Sequence, residues 1–294
     1  MIKHTYYLII LSTALFFSTA AFGQGSGDPS VSLTFDEAVA AAGMHPQMGY
    51  TFGTNSTQNV TNLTQLSWYF NPYGIAGTNV INGEWERYQP FNSTNFKFLP
   101  NSLDLVATIP QGGGLWAGGI NSGQIWTQTT YQPGKTGSNY YAFAVRMKIP
   151  SGPGMWPAFW LYTKQPGVND TSEIDVEFFD GQNQNQFDWT GFNHGPAVGT
   201  DFYSIMTNQW VWHPGLNFSA DYHDYQILWT PDAVYKYVDG TLVRATWFKW
   251  TSGGPAQLGV NLAVALPSMP GMLPTSLSQF PAHLSIQTLT TYQK

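Results

Sequence analysis

Between Glu173 and Glu177 acidic and apolar side chains alternate without a break, Glu-Ile-Asp-Val-Glu, and this period of two constrains the fold more than any other stretch. Successive side chains leave a pleated strand on opposite faces, so the segment reads as a strand with one buried and one open face. Ile174, Val176 and Phe178 are then directed into a core, while Glu173, Asp175 and Glu177 line up on the other side. A purely structural strand would avoid three carboxylates in a row or neutralise them with cations. Not one Lys or Arg occurs between Lys164 and Lys236, and the chain has only 11 in all, so a salt-bridged ladder is not the expected explanation. Close carboxylates repel, and the repulsion keeps one of them protonated near neutral pH, as a general acid beside an ionised nucleophile requires.

Strand signals recur along the rest of the chain. In residues 141–149, Phe143, Val145, Met147 and Ile149 share one face, and Ala144, Arg146 and Lys148 share the other. Asp239-Gly240 separates two further runs and predicts a two-residue hairpin. Turns rich in Gly and Pro, such as 110–114 and 151–154, punctuate the runs. Short strands without βα alternation imply an all-β fold, an antiparallel sandwich or barrel. Residues 38–42 are expected to form one helical turn, residues 45–64 to wrap the surface as a loop, and residues 182–186 to form a solvated loop after the acidic strand.

The chain opens with Lys3, an apolar stretch over 6–17 and a small-residue site at 21–23. This pattern reads as a signal peptide over 1–23 that directs the protein outside the cytoplasm, secreted or periplasmic. The apolar stretch is shorter than the roughly 20 residues of a membrane span, so no membrane association is expected after its removal. Residues 24–294 are read as one domain, within the length that β-sandwiches reach. With no cysteine, disulfides and thiolate metal sites are excluded, and the core must supply the stability. Charged residues make up 10% of the chain, its net charge is -6 and it has no basic stripe, which argues against nucleic acid as a partner. The excess is in aromatics, with 12 Trp; flat apolar rings with polar edges fit sugar faces as well as a core.

Paired carboxylates and exposed rings together suit glycosidic bond cleavage. One acid protonates the leaving oxygen while a second carboxylate, about 5–5.5 Å away in retaining enzymes, attacks the sugar carbon. Residues i and i+4 of a strand have Cα atoms about 13 Å apart, so the two Glu tips must lean together across Asp175 on a strongly curved strand. A metal site on the same acids is not expected, because no His or Asn lies at ligand spacing within the strand.

With Glu173-Ile174-Asp175-Val176-Glu177 the chain resembles glycoside hydrolase family 16, whose active strand reads E-x-D-x-E or, with one extra residue, E-x-D-x-x-E. Further segments carry the resemblance across most of the chain. They are Asn82-Gly83-Glu84-Trp85 with Tyr88, Ser122-Gly123, Arg146 to Pro150, and Gly154-Met155-Trp156-Pro157-Ala158-Phe159-Trp160-Leu161. Tyr222 to Tyr225, Trp229-Thr230-Pro231, Val238-Asp239-Gly240 and Asn261-Leu262-Ala263-Val264 continue it.

The resemblance implies a β-jelly-roll sandwich of two curved antiparallel sheets with a concave substrate cleft. It implies a monomeric endo-acting enzyme on a β-1,3- or β-1,3-1,4-glucan, with Glu173 as nucleophile, Glu177 as acid/base and Asp175 as the residue that tunes the nucleophile. Trp156 and Trp160 share a strand face, where stacking on sugars and packing in the core are both open readings. Asn82 for a sugar hydroxyl, and His194 near the nucleophile, complete the candidate substrate-binding set. His223 is read as structural, and Asp180 as a turn cap.

Three positions depart from the family pattern: Ala144 stands for a usual Glu, Pro267-Ser268 for Gly-Gly, and Gln287 for an Asp that often helps hold a structural calcium. No cofactor is expected, and calcium is doubtful. Transglycosylation, galactan hydrolysis and a non-catalytic carbohydrate-binding jelly roll are the competing functions.

Overall fold

The computed structural model describes residues 33–53, 63–68, 83–133, 140–164, 171–177, 186–187, 191–193, 211–212, 217–231, 233–247, 255–265, 267 and 273–294. For 163–164, 171–172, 177, 186–187, 191–193, 211–212 and 244–247 it describes the main chain alone. The expected signal segment, Phe178, Asp180 and the 182–185 part of the acidic strand's following loop lie outside the described residues.

Most of the described strand residues fall in two antiparallel sheets, with strands numbered β1 to β18 in chain order. The larger runs in the order β16 (Thr241–Trp247), β15 (Ala233–Val238), β14 (His223–Trp229), β8 (Tyr141–Lys148), β18 (Ala282–Gln293), β5 (Ser102–Ala107) and β4 (Phe96–Leu99). β1 (His45–Thr51) also pairs with β18. The smaller sheet runs β12 (Gly191–Asn193), β10 (Thr171–Glu177), β9 (Met155–Lys164), β17 (Gln257–Val264), β7 (Gln124–Thr127) and β2 (Leu66–Ser67). Two short pairs complete the set: β11 (Gln186–Phe187) with β13 (Val211–Trp212), and β3 (Glu86–Tyr88) with β6 (Ile120–Ser122). The second of these is parallel, an exception to the antiparallel expectation.

Period-two alternation decides which face of each strand meets the core. Phe143, Val145 and Met147 of β8 and Ile174 and Val176 of β10 are buried in one continuous apolar cluster between the sheets, with Phe159 and Leu161 of β9 and Leu258, Val260 and Leu262 of β17. The hairpin at Asp239-Gly240 is as predicted: both residues have positive φ, 48° and 75°, which a two-residue turn between twisted strands requires.

The helix begins earlier than expected. Helix α1 (Phe35–Ala41) starts at a capping box in which Thr34 and Glu37 exchange side-chain-to-backbone bonds, so Thr34-x-x-Glu37 was the overlooked signal. It packs Phe35, Ala38 and Val39 on the outer side of the larger sheet, against Ala142, Leu228 and Tyr237.

The loop expected over 45–64 is corrected in its first part, since His45–Thr51 is β1. Only Met48 of β1 is buried, and the pairing is broken between Pro46 and Met48, so no apolar alternation betrays the strand. Main-chain bonding to the distal half of β18 makes it. Further along, Gln287 is the extra residue of a bulge in β18, where the pairing with β8 jumps from Ile286 to Thr288. Its Oε1 accepts from Arg146 Nε at 3.1 Å, and Arg146 also pairs with Asp224 at 2.8 Å. The Gln287 carbonyl is taken up by a guanidinium, whose positive charge disfavours a cation there, and the position lacks the carboxylate that the family pattern places at a structural calcium.

Candidate active site

The outward face of the smaller sheet is built as cross-strand rows, set by an unbroken register between β10, β9 and β17. Glu173 stands opposite Tyr162, and Tyr162 opposite Gln257. Asp175 stands opposite Trp160, Trp160 opposite Gly259, and Gly259 opposite Trp126. The main chain of Glu177 pairs with Ala158, followed by Asn261 and Gln124. Three carboxylate-bearing positions therefore lie along one strand edge of a surface lined with aromatic and amide side chains. The strand is regular, without a bulge, as the alternation of its residues predicts.

Burial divides this face into a floor and an accessible layer. Asp175 is only 1% exposed, and Trp126, Gln124, Gln257 and Asn261 are buried as well. Glu173, Trp160 and Tyr162 are half-buried and are the members of these rows that solvent reaches among the described side chains. Trp156 lies on the same face but is buried, so of the two candidate tryptophans it is Trp160 that presents a ring. Gly259 makes the floor possible. A Cβ there would lie 2.6 Å from the Trp126 ring, which instead packs edge-on against Trp160 with centroids 4.9 Å apart.

A buried hydrogen-bond chain fixes Trp160. Its indole Nε1 donates to Asn261 Oδ1 at 2.8 Å, and Asn261 Nδ2 donates to the Tyr88 hydroxyl at 2.7 Å. Behind Tyr88 stand Glu84 and Glu86, both buried; Glu86 Oε2 accepts from the Val264 amide at 2.8 Å. Burial holds the Glu86 carboxyl above the usual carboxylate range, partly offset by hydrogen bonds from Glu84, Val264 and Tyr88. Burial, and then the charges of Glu86 and Glu84, push the Tyr88 hydroxyl well up. On the accessible layer, burial together with the charges of Glu173 and Asp175 pushes the Tyr162 hydroxyl up to about 12, so the phenol stays neutral beside the acids.

Under the acidic strand the structure corrects one inference. The buried ammonium of Lys236, on β15 of the other sheet, donates to the main-chain carbonyl of Asp175. A cation thus reaches the strand from the core side, although it meets a carbonyl and stands 61 positions away in sequence. Distance along the chain hid it, because the contact exists only once the two sheets face each other.

Asn82 and His194 lie outside the described residues, as does the side chain of Glu177. His223 stands away from these rows: its Nδ1 bonds Asp239 Oδ2 at 2.7 Å in the turn of the β15–β16 hairpin. Tyr162, Trp126, Gln124 and Gln257 were not read as site residues. Extending the alternation Trp156, Ala158, Trp160 by one step would have reached Tyr162, whereas the residues of β7 and β17 join only through sheet pairing.

A family model described as glycosyl hydrolases family 16 matches residues 112–264. A beta-glucanase from Rhodothermus marinus is 27% identical over 183 residues, covering 54% of this chain and 59% of that one. The endo-1,3-1,4-beta-glycanase EglC from Rhizobium meliloti is 23% identical over 220 residues, covering 73% of this chain and 41% of its own. The chain thus spans less than two thirds of the length of either. Among solved structures, the endo-beta-1,3-glucanase from Pyrococcus furiosus superposes with a TM-score of 0.64 at 24% identity, over 85% of this chain and 94% of that one. The likeness establishes the jelly-roll sandwich.

Proposed function

The chain belongs to family 16 of the glycosyl hydrolases, and from that premise we infer that it hydrolyses internal bonds of a β-1,3- or β-1,3-1,4-glucan with retention of configuration. The observation that carries this reading is the acidic strand: Glu173 and Asp175 stand in unbroken register on the aromatic face of the smaller sheet, with Glu177 next in phase along β10. Glu173, half-exposed, is the nucleophile that attacks the anomeric carbon as Glu177 protonates the departing oxygen. Glu177 then takes a proton from water, whose oxygen displaces Glu173 from the sugar. Asp175, buried between them, orients Glu173 and adjusts its proton affinity.

Trp160, pinned by Asn261 and Tyr88, offers a ring for a pyranose face, with Asn82 and His194 as the further sugar contacts. The names of the Rhodothermus, Rhizobium and Pyrococcus proteins support a β-glucan over a galactan. The protein acts as an exported monomer, as its N-terminal pattern and family suggest, and needs no cofactor.

Reducing-end release from laminarin, barley glucan, xyloglucan and agarose by the intact protein, with Glu173→Ala as control, tests the reading. Turnover of laminarin or barley glucan that is lost in the variant supports it. Turnover restricted to agarose or xyloglucan would overturn the substrate, and binding of glucan without any turnover would overturn the activity.

A further inference from the structure

Trp116 is the one tryptophan among the large apolar side chains that the described residues leave exposed, at 53%. It sits in a loop closed by main-chain bonds: Gly114 N donates to Gly119 O at 2.9 Å, Trp116 N to Gly114 O at 3.0 Å, and Gly119 N to Trp116 O at 2.8 Å. The indole lies against the backbone of this loop. A Cβ on Gly114 would overlap the ring, and one on Gly119 would stand 3.0 Å from it. The ring is therefore seated before any ligand arrives, with little conformational freedom left to lose on binding.

The guanidinium of Arg87 reaches the same loop, so close to Gly118, two residues on from Trp116, that a Cβ there would be 2.8 Å from Nε. Arg87 is exposed and pairs in register with Asn121 in the parallel β3–β6 ribbon. Alternation fixes where this pair points. The flanking Tyr88 and Ser122 turn towards β17, Tyr88 accepting from Asn261 and Ser122 Oγ donating to Leu262 O at 2.6 Å. Arg87 and Asn121 must then face the other way, off the surface that carries the acids.

A seated indole with the polar side chain of Arg87 at the same loop, and Asn121 paired to it, matches a pyranose ring, which offers an apolar face and a rim of hydroxyls. It does not match a protein partner, because one ring set among glycines falls far short of the roughly 800 Å² per side that a stable interface buries.

We propose that Trp116, with Arg87 and Asn121, forms a second sugar-binding surface, separate from the acidic face, which holds a glucan chain while another stretch of polymer is cleaved. The inference rests on the glucan reading above. A chain held at two places dissociates less often than one held at either alone, so the surface acts on polymers and not on fragments too short to reach it.

The test compares Trp116→Ala with the parent on long laminarin or barley glucan and on an oligosaccharide of four or so residues, together with co-sedimentation on insoluble β-1,3-glucan. Loss of about fivefold or more in polymer binding and polymer kcat/KM, with oligosaccharide kcat/KM within about twofold of the parent, is the expected result. Trp116→Phe should recover part of the polymer affinity. If the parent turns over glucan and Trp116→Ala binds polymer equally well, the second surface is wrong while the activity stands. Equal losses on polymer and oligosaccharide would place Trp116 in the cleft and overturn a separate surface. A parent that neither binds nor cleaves glucan overturns both.

Discussion

Gly259 decides whether the aromatic floor can exist, because it is the gap across which Trp126 and Trp160 meet. An Ala there would drive a methyl into the Trp126 ring, 2.6 Å away at the present geometry, in a layer with no space to yield. Gly259→Ala is expected to cost about 1–3 kcal/mol in urea unfolding, the usual range for overpacking. It should also raise KM by tilting Trp160, and an unchanged KM would show that the two rings are not coupled. A lone glycine in a strand signals a close approach, so this feature was legible in principle.

Tyr162 makes a second residue-scale claim. Its folded pKa of about 12 lies above the ordinary 10, so folding favours the neutral phenol. The stability this supplies is complete below about pH 10 and is lost as pH rises through about 12. Between those values the parent should therefore lose more stability than Tyr162→Phe. Identical losses would mean that Tyr162 is neither buried nor beside Glu173 and Asp175.

At the scale of elements, the pairing of β10 sets how the proposed acidic site should respond to an insertion. Seven consecutive residues pair with β9, from Thr171 to Glu177, whereas β12 pairs only with Ser172, Glu173 and Ile174. Among the described residues, the half holding Asp175 to Glu177 therefore has a strand on one side only. One Met inserted after Val176 would turn Glu177 towards the core in a straight strand, but this half can take up the extra residue as a bulge. The expected variant melts at a lower temperature and keeps measurable glucan turnover. Complete unfolding would show that the edge is too tightly packed to bulge. For α1, Thr34→Ala should cost about 0.5–2 kcal/mol through loss of the cap, read as a lower unfolding midpoint with kinetics unaltered. β1 shows the opposite limit of sequence reading. With one buried residue, Pro46 and a register break, it has no pattern of its own and becomes a strand only because β18 is long enough to pair with both β5 and β1.

For the molecule as a whole, what alternation expresses was readable, and what strand pairing and packing between distant segments create was not. The acidic strand, β8 and the Asp239-Gly240 hairpin declared themselves through local chemistry. Lys236 beneath Asp175, the Trp160–Asn261–Tyr88 chain and the row from Trp126 to Asp175 join residues up to 173 positions apart, and no local pattern encodes them. They surround the acids with a fixed frame, so the central claim is that Glu173 and Glu177 divide the two halves of a double displacement. The most direct measurement follows azide rescue of Glu173→Ala and Glu177→Ala on an activated β-glucoside by anomeric proton NMR. The account predicts an α-glycosyl azide from Glu173→Ala and a β-glycosyl azide from Glu177→Ala; products of the same configuration from both variants, or the two reversed, would contradict it.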